Sequence, residues 1–146
     1  MSGKVLASNR KAFHDYFVIQ QWEAGIMLKG SEIKSLRESQ SSLVDSWVKI
    51  VNNEAWLIGA YIPEYSQAKD AFSTHIPTRD RKLLLNRSEI TRIERELDVS
   101  MTVVPINIHL NERNIAKVQI ALVKGKKLHD KRQAQKEKDF KRFNDD

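Results

Sequence analysis

The chain has 146 residues, enough for one domain that buries its own core, and carries a net charge of +6 with a pI of about 9.6. It has no cysteine, so disulfides and thiolate metal sites are excluded and a cytoplasmic location is expected. No apolar run reaches the roughly 18 residues of a membrane span, and residues 1–13 lack the apolar core of a signal peptide.

Residues 1–12 are polar and basic and predict an N-terminal arm. Residues 16–23 are rich in aromatic and β-branched side chains and predict a strand. Ala24-Gly25 predicts an interruption, a hairpin or bulged bend, before Ile26-Met27-Leu28 resumes. Ser31 is placed to cap a short helix over 32–38, with Glu32 in the first turn. Ile33 and Leu36 share the inward face of that helix, and Lys34 and Arg37 share an outward one. Residues 46–51 and 55–60 predict two strands joined at Asn52-Asn53, because asparagine tolerates the positive φ of a tight hairpin. The polar stretch 63–81 predicts a long loop, a length that in compact domains marks function or disorder.

Residues 82–85 predict a short strand. Asn86 and Glu89 have capping-box spacing ahead of the helical stripe Ile90, Ile93 and Leu97. Two alternating stretches follow. Ile106, Ile108 and Leu110 interleave with Asn107, His109 and Asn111; Ala116, Val118, Ile120 and Leu122 interleave with Lys117, Gln119 and Ala121. Period-two alternation predicts strands buried on one face. The sum is a mainly β protein: an OB-like closed β-barrel of about six strands over 13–123, with two or three short flanking helices.

From Lys124 onward nine basic and five acidic residues give +4 of the total +6, leaving +2 for the other 123 residues. This basic tail, 124–146, has no apolar alternation and is expected to be disordered when free and to order on a polyanionic partner.

Enzyme chemistry finds no constellation. His14, His75, His109 and His129 show no metal-ligand spacing, and no phosphate-cradling or nucleophile motif occurs. His14-Asp15 resembles a base and its orienting carboxylate, but adjacent residues of a strand point to opposite faces. Nothing calls for a cofactor or a metal.

Basic residues gather instead at Arg10-Lys11, at Lys34 with Arg37, at Arg79-Asp80-Arg81-Lys82 and in the tail, with Phe13, His14, Tyr16 and Phe17 beside the first group. Cations that pair with phosphate next to rings that stack on bases fit RNA. Glu23 is either a surface charge or an acceptor for base amino groups and 2′-hydroxyls. Trp22, Trp47 and Trp56 are expected in the core, and His75 and His109 are expected to be structural or incidental.

Taken in order, several segments resemble the small protein B family, the tmRNA-binding proteins of bacterial trans-translation. They are Asn9-Arg10-Lys11-Ala12, His14-Asp15-Tyr16-Phe17, Glu23-Ala24-Gly25-Ile26, residues 30–37, Asp45-Ser46, residues 79–85, Ala116-Lys117-Val118, and Lys124-Gly125-Lys126-Lys127 with His129-Asp130-Lys131-Arg132. The resemblance implies an OB-like barrel without catalytic activity. Such a protein binds the tRNA-like domain of tmRNA and delivers it, with elongation factor Tu, to stalled ribosomes. Its tail occupies the empty mRNA channel at the small-subunit decoding centre.

By position, Asn9, Glu23 and Leu84 match family residues implicated in tmRNA binding. The cations and ring nearby, Arg10, Lys11, His14, Lys34, Arg37, Arg79, Arg81 and Lys82, are expected to support that surface. Gly125, Lys126, Lys127, His129, Asp130, Lys131 and Arg132 match the tail motif that works on the ribosome. Glycine at 125 suits a hinge between body and tail. A monomer is expected. The alternative is a generic OB-type RNA- or ribosome-binding protein without tmRNA specificity.

Overall fold

The computed structural model describes residues 4–38, 40–65 and 75–126. Within them lie seven strands and three helices. In chain order these are β1 (Val5–Ser8), α1 (Arg10–Asp15), β2 (Tyr16–Ile26), α2 (Gly30–Glu38), β3 (Trp47–Val51), β4 (Glu54–Ile58), β5 (Arg81–Leu84), α3 (Arg87–Glu96), β6 (Met101–Leu110) and β7 (Ala116–Gly125). All pairings are antiparallel, in the order β1-β6-β3-β4-β5-β2-β7, and β7 pairs with β6 as well.

The local signals hold where turn and cap chemistry act alone. Asn52 and Asn53, both at positive φ, turn β3 into β4. Asn86 accepts from the Glu89 backbone N–H while the Glu89 carboxylate accepts from that of Asn86, a complete capping box on α3. Asn86→Ala is expected to cost about 1 kcal/mol in a urea titration, by leaving first-turn N–H groups without their acceptor; an unchanged midpoint would remove the cap from the account.

Several expectations are corrected. From Val5 the supposed arm is a strand: Val5, Ala7 and Ser8 pair with His109, Ile108 and Asn107 of β6, and α1 begins at Arg10. Residues 24–25 do not interrupt β2. Ala24 is buried against the core, and Gly25 is the point where the strand lies between Lys117 of β7 and Leu84 of β5. A Cβ at Gly25 would sit 3.1 Å from the Leu84 Cβ, so the glycine serves close approach and not a turn. Ser31 lies inside α2 rather than capping it, and its hydroxyl meets His75 Nδ1 at 2.8 Å. The Glu32 carboxylate instead accepts from the Lys29 backbone N–H at 2.8 Å. Strand β7 runs through Gly125, which pairs with Tyr16, so the body extends past residue 123 and Gly125 closes a strand.

The core has two parts. The larger gathers Trp22, Ala24, Leu57, Leu83, Ile93, Val103, Ile108, Ile120 and Leu122 among others. The smaller lies beneath α1 and consists of Ala12, Val104, Ile106, Ala121 and Val123, with Tyr16 and Val18 packed on it. Alternation predicts Ala121 on the polar face, but α1 covers that face and buries it. Bulges make the switch. Val18 pairs with Val123 but Gln20 with Leu122; Pro105 pairs with Ile120 but Asn107 with Gln119. One extra residue turns every later side chain to the opposite face. Thus β2 feeds Tyr16 and Val18 to the smaller core and Trp22 and Ala24 to the larger.

Glu32 ties together the described ends of the long connection after β4. It is fully buried, and its carboxylate accepts from Arg79 Nε at 3.0 Å and Arg81 Nε at 2.6 Å. Arg81 also donates to the carbonyls of Ala60 and Pro77, both at 2.9 Å, and Arg79 to that of Met27 at 3.3 Å. Burial alone would raise the Glu32 pKa. Hydrogen bonds from Arg79, the Lys29 N–H and Arg81, with the charge of Arg81, bring it below the ordinary carboxylate value. His75, also buried, donates from Nε2 to the Ile62 carbonyl at 3.0 Å and meets Ser31 Oγ through Nδ1, a structural role as expected. Residues 66–74, the middle of the predicted loop, lie outside the described residues.

Candidate RNA-binding surface

Glu23 stands on the outward face of β2, opposite Gln119 of β7. Its carboxylate is half exposed and meets His109 Nε2 at 3.0 Å; His109 Nδ1 in turn meets Asn107 Oδ1 at 2.7 Å. One step along, Gln119 donates to Gln21 Oε1 at 3.1 Å. The result is a polar strip across β2, β7 and β6 whose carboxylate has a set orientation and one edge open to water. Chemically it can accept from hydroxyl and amino groups, which is how a carboxylate reads 2′-hydroxyls and base edges. Leu84, 52% exposed, flanks the strip beside Gly25 and offers apolar contact to a base or sugar.

Sequence reasoning gave His109 no part in this surface. Its position on the polar side of an alternating strand was the available signal, but the partner lies 86 residues away.

A second group forms at α1 and the end of β7. Arg10, Lys11, Phe13 and His14 are exposed on α1. Phe17 is exposed opposite Lys124 on the paired strands, and Lys126 Nζ lies 4.9 Å from the Phe17 ring centroid. The Lys126 backbone N–H donates to the Asp15 carbonyl at 2.9 Å, fixing where the described chain leaves the body. His14 Nδ1 and Asp15 Oδ1 are 2.9 Å apart, so the dismissal of that pair as strand neighbours fails: both residues are helical. The imidazole is largely in solvent, which suits it to a surface contact.

Not every candidate reaches the surface. Arg81 is fully buried on Glu32, and Asn9 is buried with its amide donating to the Pro105 carbonyl at 2.9 Å; both hold the body together. Arg79 is a quarter exposed while paired with Glu32. Lys34 and Arg37 are exposed on α2, Lys34 lying 5.5 Å from the Tyr65 ring. Lys82 is half-buried, 3.8 Å from Glu54. Lys127, His129, Asp130, Lys131 and Arg132 lie outside the described residues. Among the described residues no group of three His, Asp or Glu could hold a metal ion, and no helix is long and apolar enough to cross a membrane.

A small antiparallel β body that shows a hydrogen-bonding strip, exposed rings and exposed cations has the make-up of an RNA-binding module. The chain belongs to the SmpB protein family, whose model matches residues 6–145. It is 49% identical over 140 residues to the SsrA-binding protein of Allorhizobium ampelinum, covering 95% of this chain and 87% of that protein. It is 50% identical over 143 residues to the SsrA-binding protein of Sulfurihydrogenibium sp., covering 97% and 92%. Among solved structures it is similar to a chain described under "tmRNA-SmpB: a journey to the center of the bacterial ribosome". That chain shares 39% identity and superposes with a TM-score of 0.69 over 83% of this chain and 84% of its own length.

Proposed function

We infer that this protein is an RNA-binding adaptor of trans-translation. It binds tmRNA through its tRNA-like domain, delivers it to stalled ribosomes in company with elongation factor Tu, and acts as a monomer without catalysing a reaction. The tail from Lys126 onward occupies the empty mRNA channel at the decoding centre. An OB-like closed barrel fits the pairings, which pass from β6 through β3, β4, β5, β2 and β7 back to β6.

The observation that carries the reading is the Glu23–His109 strip beside Leu84. It occurs in a chain similar over nearly its whole length to SsrA-binding proteins. Glu23, Leu84 and the exposed Arg10, Lys11 and His14 are assigned to the tRNA-like domain. Lys34, Arg37, Arg79 and Lys82 add phosphate contacts. Arg81 and Asn9 act by holding Glu32 and β6 in place. Gly125, Lys126, Lys127, His129, Asp130, Lys131 and Arg132 are assigned to the ribosome.

The test is a competition titration at about 0.15 M salt, where charges beyond roughly 8 Å are screened. Labelled tRNA-like domain should be retained against excess ordinary tRNA. Equal competition that collapses with salt would favour the generic binder. Glu23→Ala should weaken binding to the domain by about tenfold, the worth of one hydrogen bond to a charged group, without shifting Tm. Unchanged affinity would take Glu23 out of the site.

A further inference from the structure

The sequence places all three tryptophans in the core, and only Trp22 is there. Trp47 is 41% exposed and Trp56 is half-buried. Both stand on the outward face of β3 and β4, because their neighbours Val48, Ala55 and Leu57 are the ones turned into the core. The registers set Lys49 opposite Trp56 and Trp56 opposite Lys82, so a ring is flanked across three strands by two cationic side chains. Trp47, two residues before Lys49 on the same face, adds a second ring, opposite Ile58. Glu54 lies 3.8 Å from Lys82, too far for a hydrogen bond, and is half exposed. On its other side, the face runs through Leu84 to Gly25 and so reaches the Glu23 strip.

We propose that the outer face of β3, β4 and β5 is a stacking platform for unpaired RNA, with bases on Trp47 and Trp56 and the flanking phosphates on Lys49 and Lys82. This deepens the RNA-binding reading and rests on it. The Trp47 indole is exposed and the Trp56 ring lies between two lysines, so the face does not suit a purely apolar partner. Every base offers a π face and every nucleotide a phosphate, so this arrangement suits single-stranded RNA without demanding a sequence. A base-paired helix would hide its π faces and leave the rings unused. Continuity with the Glu23 strip lets one RNA present a folded part to the strip and an unpaired part to the rings.

The test uses the full chain and a six-nucleotide oligouridylate at about 0.15 M salt, with tryptophan fluorescence as readout. Binding should quench saturably, since two of three indoles lie on the platform. Trp47→Ala should weaken binding by about tenfold, within the range for one lost base stack, and Trp47→Phe should restore most of it. An unchanged affinity in Trp47→Ala, or a Trp47→Phe chain as weak as Trp47→Ala, would overturn the proposal. Trp47 lies outside the core, so both variants fold; a matching Tm verifies it. If the native chain binds the tRNA-like domain but not the oligomer, the platform fails and the adaptor reading stands. If it binds neither, the adaptor reading fails and takes the platform with it.

Discussion

Glu32→Ala is expected to lose about 3–5 kcal/mol of unfolding free energy, because it strands buried guanidinium groups without their counter-charge. Arg81 has nowhere to go: its side chain is fully buried, and its remaining acceptors are the neutral carbonyls of Ala60 and Pro77. A domain of this size holds on the order of 5–15 kcal/mol in all, so the variant should unfold at markedly lower urea. A loss below about 1 kcal/mol would show that the site relaxes and hydrates freely. Arg81→Ala should cost a comparable amount, and the double variant less than the sum, since each single change leaves the other charge uncompensated.

The same group gives a pH dependence of defined sign. The Glu32 pKa is lower in the folded chain than its ordinary 4.5. Its contribution is therefore complete above that value and is lost as pH falls through the depressed folded pKa. Acid should destabilise the native chain more steeply than Glu32→Ala in that window; parallel curves would exclude the linkage.

Removing residues 127–146 is expected to leave affinity for the tRNA-like domain nearly intact and to abolish peptide tagging on stalled ribosomes. The deletion takes away seven basic and five acidic residues, a net of only +2, so little nonspecific phosphate attraction leaves with it. The strip at Glu23 and Leu84 and the α1 cations all remain. A gel-shift titration with the tRNA-like domain and a reconstituted translation reaction on a message without a stop codon measure the two effects. Loss of RNA binding together with tagging would abolish the division of labour between body and tail. Normal tagging would assign Lys131 and Arg132 to solvent.

The parts of this fold that could be read from the chain are those decided within a few residues. Asn52-Asn53 turns a hairpin, Asn86 and Glu89 cap a helix, and the alternations through Ile106 and Val118 make strands, each for reasons contained in its own window. What escaped depends on distant partners. Arg81 looked like a phosphate ligand because its counter-charge is 49 residues earlier in the sequence. His109 looked incidental because Glu23 comes from another strand. Alternation identifies two faces but not which one has a cover, which is why Ala121 reads as outside; Trp47 reads as core from its bulk alone, although it shares the Lys49 face. Val5–Ser8 is too short to announce itself and exists because β6 offers an edge. Glu23 and Leu84, by contrast, came from the family resemblance, and both stand where an RNA could reach them.

The bulge after Val18 constrains how this protein can diverge. Deleting Ile19 would make the β2–β7 ladder regular and swing Tyr16 and Val18 away from α1, stripping that helix of part of its apolar floor. Lineages of this chain should therefore change β2 by substitution and keep its length. Gains and losses of residues should collect at turns such as Asn52-Asn53, where an extra residue moves no side chain across the sheet.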